Sequence, residues 1–151
     1  MRVQSPPVID HVDTAYLQTL LGYNARRAAL AVISEFLPRM ARYGLRPVEF
    51  SILSVIRHNA GVTSRQLCDA LNLLPPNLVG KIGALEKRGL LVRRPHPLDG
   101  RAQGLHLTED GHGLMVKAEA TAAELERDVA SALTAAEHKT LLRLLQKVYK
   151  A

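Results

Sequence analysis

One cysteine, Cys68, stands in the 151-residue chain, which excludes an internal disulfide. A reduced, cytoplasmic setting is the expectation. Tryptophan is absent and aromatics make up only 4% of residues. The core must therefore be aliphatic, mostly Leu, Ala and Val, which favours helix over sheet. No run of about 18 apolar residues suggests a membrane span. The opening Met1-Arg2-Val3-Gln4-Ser5-Pro6-Pro7 has no apolar signal core. The chain also lacks a Gly-rich phosphate loop, a nucleophile elbow, a Cys-x-x-Cys pair and two histidines flanking a glutamate at helical spacing. Its six histidines, at 11, 58, 96, 106, 112 and 138, are scattered. Only His106 and His112 flank one segment closely enough to meet. No enzyme activity, metal or cofactor is expected.

Apolar residues form 47% of the chain, enough for a folded core. The net charge of +6 is unevenly placed. Residues 45–107 carry nine Lys/Arg against four Asp/Glu, residues 1–44 five against three, and residues 108–151 six against seven. The central third therefore holds nearly all the excess, as a phosphate-binding surface requires.

Hydrophobic periodicity predicts one long helix from about Asp10 to Arg42, weakened at Gly22 and Pro38. Its apolar stripe is wider than one small domain can cover and points to burial against a second chain. Gly44 and Pro47 mark a stop and a new start. A second helix runs to His58, followed by an Asn59-Ala60-Gly61 turn. Thr63 with Gln66 forms a capping box for a third helix. Pro75-Pro76 opens a fourth, which ends at Arg88 with Gly89 as its cap. Leu90–Arg94 and Gln103–Leu107 read as strands joined around Asp99-Gly100. A fifth helix extends from Thr108–Gly111 to about Leu133, and a second capping box, Thr134 with Glu137, opens a sixth. Three regions follow: an N-terminal arm and long helix (1–44), a basic segment of short helices and strands (45–107) and two C-terminal helices (108–151).

Two short helices in tight succession, then a hairpin with a basic tip, make a winged helix-turn-helix. The fold class is mainly α with a small β-hairpin wing. In this shape the second short helix enters a major groove while the wing reaches the backbone or minor groove. With Leu85-Glu86-Lys87-Arg88-Gly89-Leu90, Asp99-Gly100-Arg101 and Leu107-Thr108-Glu109-Asp110-Gly111 at this spacing, the chain resembles the MarR family of bacterial transcriptional regulators over about residues 10–150. The resemblance implies a homodimer with interlocked N- and C-terminal helices, so that 1–44 holds an arm and a dimerisation helix, 45–107 is the DNA-binding domain and 108–151 holds the C-terminal dimerisation helices. It also implies a palindromic operator in double-stranded DNA, repression, and release by a small ligand, often an aromatic acid; a thioester of such an acid belongs to the same expectation.

Position in the motif makes Pro76, Asn77, Gly80 and Lys81 the outward residues of the reading helix, with Asn77 suited to adenine and Lys81 to guanine or phosphate. Where this chain has Asn77, Val79 and Gly80, the family commonly has Ser or Thr and an Arg, so shape readout gains weight over base readout. Ser64, Arg65 and Arg88 are candidate phosphate contacts. Arg93, Arg94, His96 and Arg101 belong to the wing. The resemblance implies that Asp99 pairs with Arg101 to hold the loop and that Arg101 lies near the minor groove. It also implies a ligand pocket between the dimer helices and the DNA-binding lobe, for which Tyr16, Tyr23, Arg26, Arg27 and His58 are candidate liners. Two alternatives stay open: a cysteine-based redox sensor, against which Cys68 reads as inward-facing beside Leu67 and Leu71, and a winged-helix protein-interaction module.

Overall fold

The computed structural model describes residues 5–150, so the first four residues of the expected arm lie outside it. Its elements are α1 (Leu21–Met40), α2 (Pro47–His58), α3 (Ser64–Leu71), α4 (Pro75–Lys87), β1 (Leu91–Pro95), β2 (Gln103–Leu107), α5 (Glu109–Val129) and α6 (Ala135–Tyr149). The strands form one antiparallel pair, with Leu91 opposite Leu107 and Pro95 opposite Gln103. This is the mainly α, winged architecture that the sequence predicts.

The first helix is shorter than its apolar spacing suggests. It starts at Leu21, not near Asp10, and only a 3-10 turn, Leu17–Thr19, precedes it. Leu20 is extended at φ −97°, ψ 130°. The Asn24 side chain fixes that entry by donating to the Gln18 and Leu20 carbonyls, each at 2.8 Å. Tyr16, Leu17 and Leu20 have no surface of this chain to pack on and stay exposed, so their spacing drives no helix. Pro38 does not break α1. It sits in the exposed last turn, where only the bond to the Ser34 carbonyl is lost and few helical residues follow. The stop comes after a further 3-10 turn, Ala41–Tyr43, at left-handed Gly44 (φ 63°). At the other end α5 stops at Val129, short of Leu133.

Both capping boxes form. Thr63 accepts from the Gln66 amide while Gln66 accepts from the Thr63 amide; Thr134 and Glu137 do the same at the start of α6. One buried cluster runs through the molecule, from Phe36 and Met40 of α1 through Ile52, Leu53 and Ile56 of α2, Leu67 of α3, and Leu78, Ile82 and Leu85 of α4, to Met115, Ala118 and Leu125 of α5. Phe36 and Phe50 meet edge to face at 5.6 Å. In contrast α6 buries none of its residues, and Leu141, Leu142, Leu144, Leu145 and Val148 are all exposed.

Candidate nucleic-acid interface

The reading helix is built by local rules. After α3, Asn72 takes a left-handed conformation (φ 50°) and the Leu73 amide returns to the Cys68 carbonyl at 3.0 Å. This turn joins α3 to α4 through three residues. Pro75 and Pro76 occupy the first positions of α4, where a missing N–H costs nothing. Leu78, Ile82 and Leu85 fasten the inner face. Pro76, Asn77 and Gly80 are exposed, as expected, and so are Val79 and Lys87. Lys87 escaped the sequence reading and Val79 entered it only as a departure from the family pattern, although three- and four-residue steps from Gly80 and Gly83 mark that face.

Lys81 departs from its expected outward position. It lies one residue before buried Ile82, on the flank of the helix, and is half-buried with Nζ 3.7 Å from Glu49 Oε1 of α2. Arg88 is exposed, as a phosphate contact requires, and its guanidinium also bonds within the protomer: Nη1 donates to the Gly44 carbonyl and Nη2 to the Tyr43 carbonyl, both at 2.9 Å. Of the α3 candidates, Arg65 is exposed and Ser64 half-buried.

The wing is anchored to this helix. Thr108 caps α5 by accepting from the Gly111 amide at 3.0 Å and donates its hydroxyl to the Gly89 carbonyl at 2.6 Å. Gly111 is required there, since a Cβ would stand 2.0 Å from the Leu90 carbonyl oxygen. Beyond the paired strands, Val62 bridges Leu105 to add a third short segment. In the tip, Asp99 supports the loop, but its partner differs from the expected one: Asp99 Oδ1 accepts from the backbone amide of Arg101 at 3.0 Å, not from the guanidinium. A two-residue span favours this amide contact, as in an Asx turn. The Arg94 and Arg101 side chains are exposed, while Arg93 pairs with Glu86 at 3.2 Å. His96 is half-buried, with Nδ1 accepting from the Leu98 amide at 3.2 Å.

The candidate ligand residues are not gathered around one cavity. Tyr16 is 75% exposed ahead of α1, Tyr23 is half-buried, and Arg26 and Arg27 are exposed. A concavity of about 680 Å³ between α1, α5 and α6 is lined instead by Asn24, Ala25, Ala28, Val32, Leu141 and Leu145, among others. His58 faces α5, where its Nε2 lies 2.8 Å from Glu119 Oε1. The same carboxylate accepts from Ser54 Oγ at 2.8 Å and pairs with Arg57. Cys68 is half-buried, not fully inward, and borders a shallow groove with Ser64, Arg65 and Asp69. Among the described residues no three His, Cys, Asp or Glu are grouped to hold a metal, and no helix is long and apolar enough to cross a membrane.

Known proteins share this arrangement. The sequence pattern of the MarR family matches residues 43–102, the lobe just described. A Thauera aromatica protein assigned to transcriptional regulation of the hcr operon is 30% identical over 131 residues, 86% of this chain and 79% of that protein. The transcriptional repressor CouR, solved on a 23-mer DNA duplex, superposes with a TM-score of 0.86 at 33% identity, covering 92% of this chain and 99% of CouR. CouR solved with p-coumaroyl-CoA gives 0.81 at 32% identity, covering 91% and 97%. These relatives are regulators, not enzymes, and this chain belongs to the MarR family of transcriptional regulators.

Proposed function

We propose that two copies of this chain associate through α1, α5 and α6 and bind a pseudo-palindromic operator as a repressor. An aromatic acid, or its coenzyme A thioester, releases the dimer from DNA. The observation that carries the reading is the outer face of α4. Pro76, Asn77 and Gly80 are uncovered there, in a lobe with nine Lys/Arg against four Asp/Glu. Inserted into a major groove, that helix places Asn77 at the base edges and the exposed Arg94 and Arg101 on the flanking backbone and minor groove. Arg65 at the start of α3 supplies a phosphate contact.

Dimerisation is supported by α6, whose leucine face is unburied beside the apolar concavity of α1. A second copy covers both and spaces two reading helices about one DNA turn apart. The thioester effector is supported by CouR, the structural relative solved with p-coumaroyl-CoA. Release follows if the effector binds best to a protomer spacing that no longer fits both grooves.

The test is a footprint on duplexes selected from a randomised pool. A two-fold symmetric footprint from a dimer, lost on adding p-coumaroyl-CoA or salicylate, supports the reading. An asymmetric footprint, or a monomer by sedimentation at micromolar concentration, refutes it. Binding to arbitrary duplex must weaken steeply with salt, since counterion release has few counterparts in protein–protein contacts.

A further inference from the structure

We propose that Arg88 is a positioning residue for DNA recognition: it locks the end of the reading helix to the dimer helices and so sets the operator spacing the protein accepts. The inference rests on the dimeric DNA-binding reading above. By composition Arg88 looks like a phosphate ligand, since Lys87, Arg93 and Arg94 are its neighbours in sequence. Its geometry assigns it elsewhere.

Two helix ends meet at this side chain. Arg88 is the C-cap of α4, and its guanidinium spans the Tyr43 and Gly44 carbonyls at the end of the 3-10 turn that extends α1. Carbonyls at helix ends lack helical partners and carry partial negative charge. A forked cation satisfies both carbonyls of this turn at once, which a lysine ammonium cannot do in one fixed geometry. The receiving turn is shaped for the fork. Gly44 has φ 63°, and a Cβ at that position would lie 3.1 Å from Arg88 Nη2.

The connection continues into α5. Tyr43, whose carbonyl Arg88 holds, places its hydroxyl 2.9 Å from Thr121 Oγ1. Thr121 is the one buried polar residue among the described residues, 5% exposed, and also accepts from Arg42 Nη2 at 2.8 Å. The Arg42 guanidinium in turn lies 4.8 Å above the Tyr43 ring. A polar path therefore runs from the last turn of the reading helix, through the end of α1, to the middle of α5. In a dimer held by α1, α5 and α6, the angle between the two reading helices depends on this joint.

The test compares Arg88→Lys and Arg88→Gln with the native protein in two assays. The first measures affinity for a duplex selected from a randomised pool and for the same duplex with one base pair inserted between half-sites, across a salt series. The native protein is expected to discriminate by about tenfold or more, the size of one mismatched pair. Both variants are expected to discriminate by less than about threefold while keeping the native salt slope. If Arg88→Lys instead behaves as native and Arg88→Gln loses about one unit of salt slope, Arg88 is a phosphate ligand and the proposal is overturned. The second assay is hydrogen–deuterium exchange without DNA. Both variants are expected to exchange faster over 41–46 and 119–123, and unchanged exchange there overturns the proposal. Failure of the native protein to bind any duplex would sink the DNA-binding reading instead, a result visible before any variant is made.

Discussion

Replacing Gly80 with alanine should make the protein more stable and a poorer DNA binder. Gly80 lies inside α4, is absent from the positive-φ glycines, and would present a Cβ to open space, with nothing within 4 Å. No contact inside the protomer requires glycine there. An interior helical glycine costs about 0.5–1 kcal/mol relative to alanine. That gain corresponds to about 1–4 °C in midpoint for a chain of this size. Calorimetry at fixed protein concentration is the assay, since association makes the midpoint concentration-dependent. The added methyl projects from the face proposed to approach the bases, so operator affinity should fall about fivefold or more, the scale of one disturbed base pair. A lower melting midpoint would refute the open environment of Gly80. Unchanged affinity would refute the claim that this face meets DNA.

Gly111→Ala, another helical glycine, should have the opposite sign: its Cβ would stand 2.0 Å from a backbone oxygen of Leu90. Overpacking of this kind costs about 1–3 kcal/mol, and thermal melts should show it. Arg101→Ala should weaken operator binding by about 1–3 kcal/mol in a titration at fixed salt, and equal affinity would remove the wing from the interface. The Glu137 carboxyl is held below its ordinary value of 4.5, first by the Thr134 backbone amide and then by the Thr134 hydroxyl. A depressed folded pKa contributes stability above the unfolded value, which is lost as pH falls through the folded one. Glu137→Gln should therefore lower stability near neutral pH, with the difference from native vanishing in acid. A difference that persists in acid would exclude the capping carboxylate as its cause.

Contacts within three or four residues were legible in the sequence. The Thr63–Gln66 and Thr134–Glu137 boxes, the proline start of α4 and the Gly89 cap each depend on spacing along one stretch of chain. The supporting role of Asp99 was legible too, while its acceptance of a backbone amide was not, because side-chain identity does not disclose which donor lies nearer. Long-range partners were hidden. Glu119 gathers Ser54, Arg57 and His58 from across 61–65 residues, and Arg88 reaches carbonyls 44 and 45 residues away. Nothing in local periodicity brings such pairs together. The false helical start near Asp10 has a related cause, since apolar spacing records what a segment can bury and not whether this chain offers the surface.

The unburied leucines of α6 tie this regulator to its own abundance. A fifteen-residue helix that buries none of its residues is marginal in water, so its order depends on whatever covers it. If a second copy is that cover, as proposed above, dilution should fray the C-terminal end, expose it to proteases and separate the paired α4 helices together. On that reading, scarcity would release the protein from DNA without any effector.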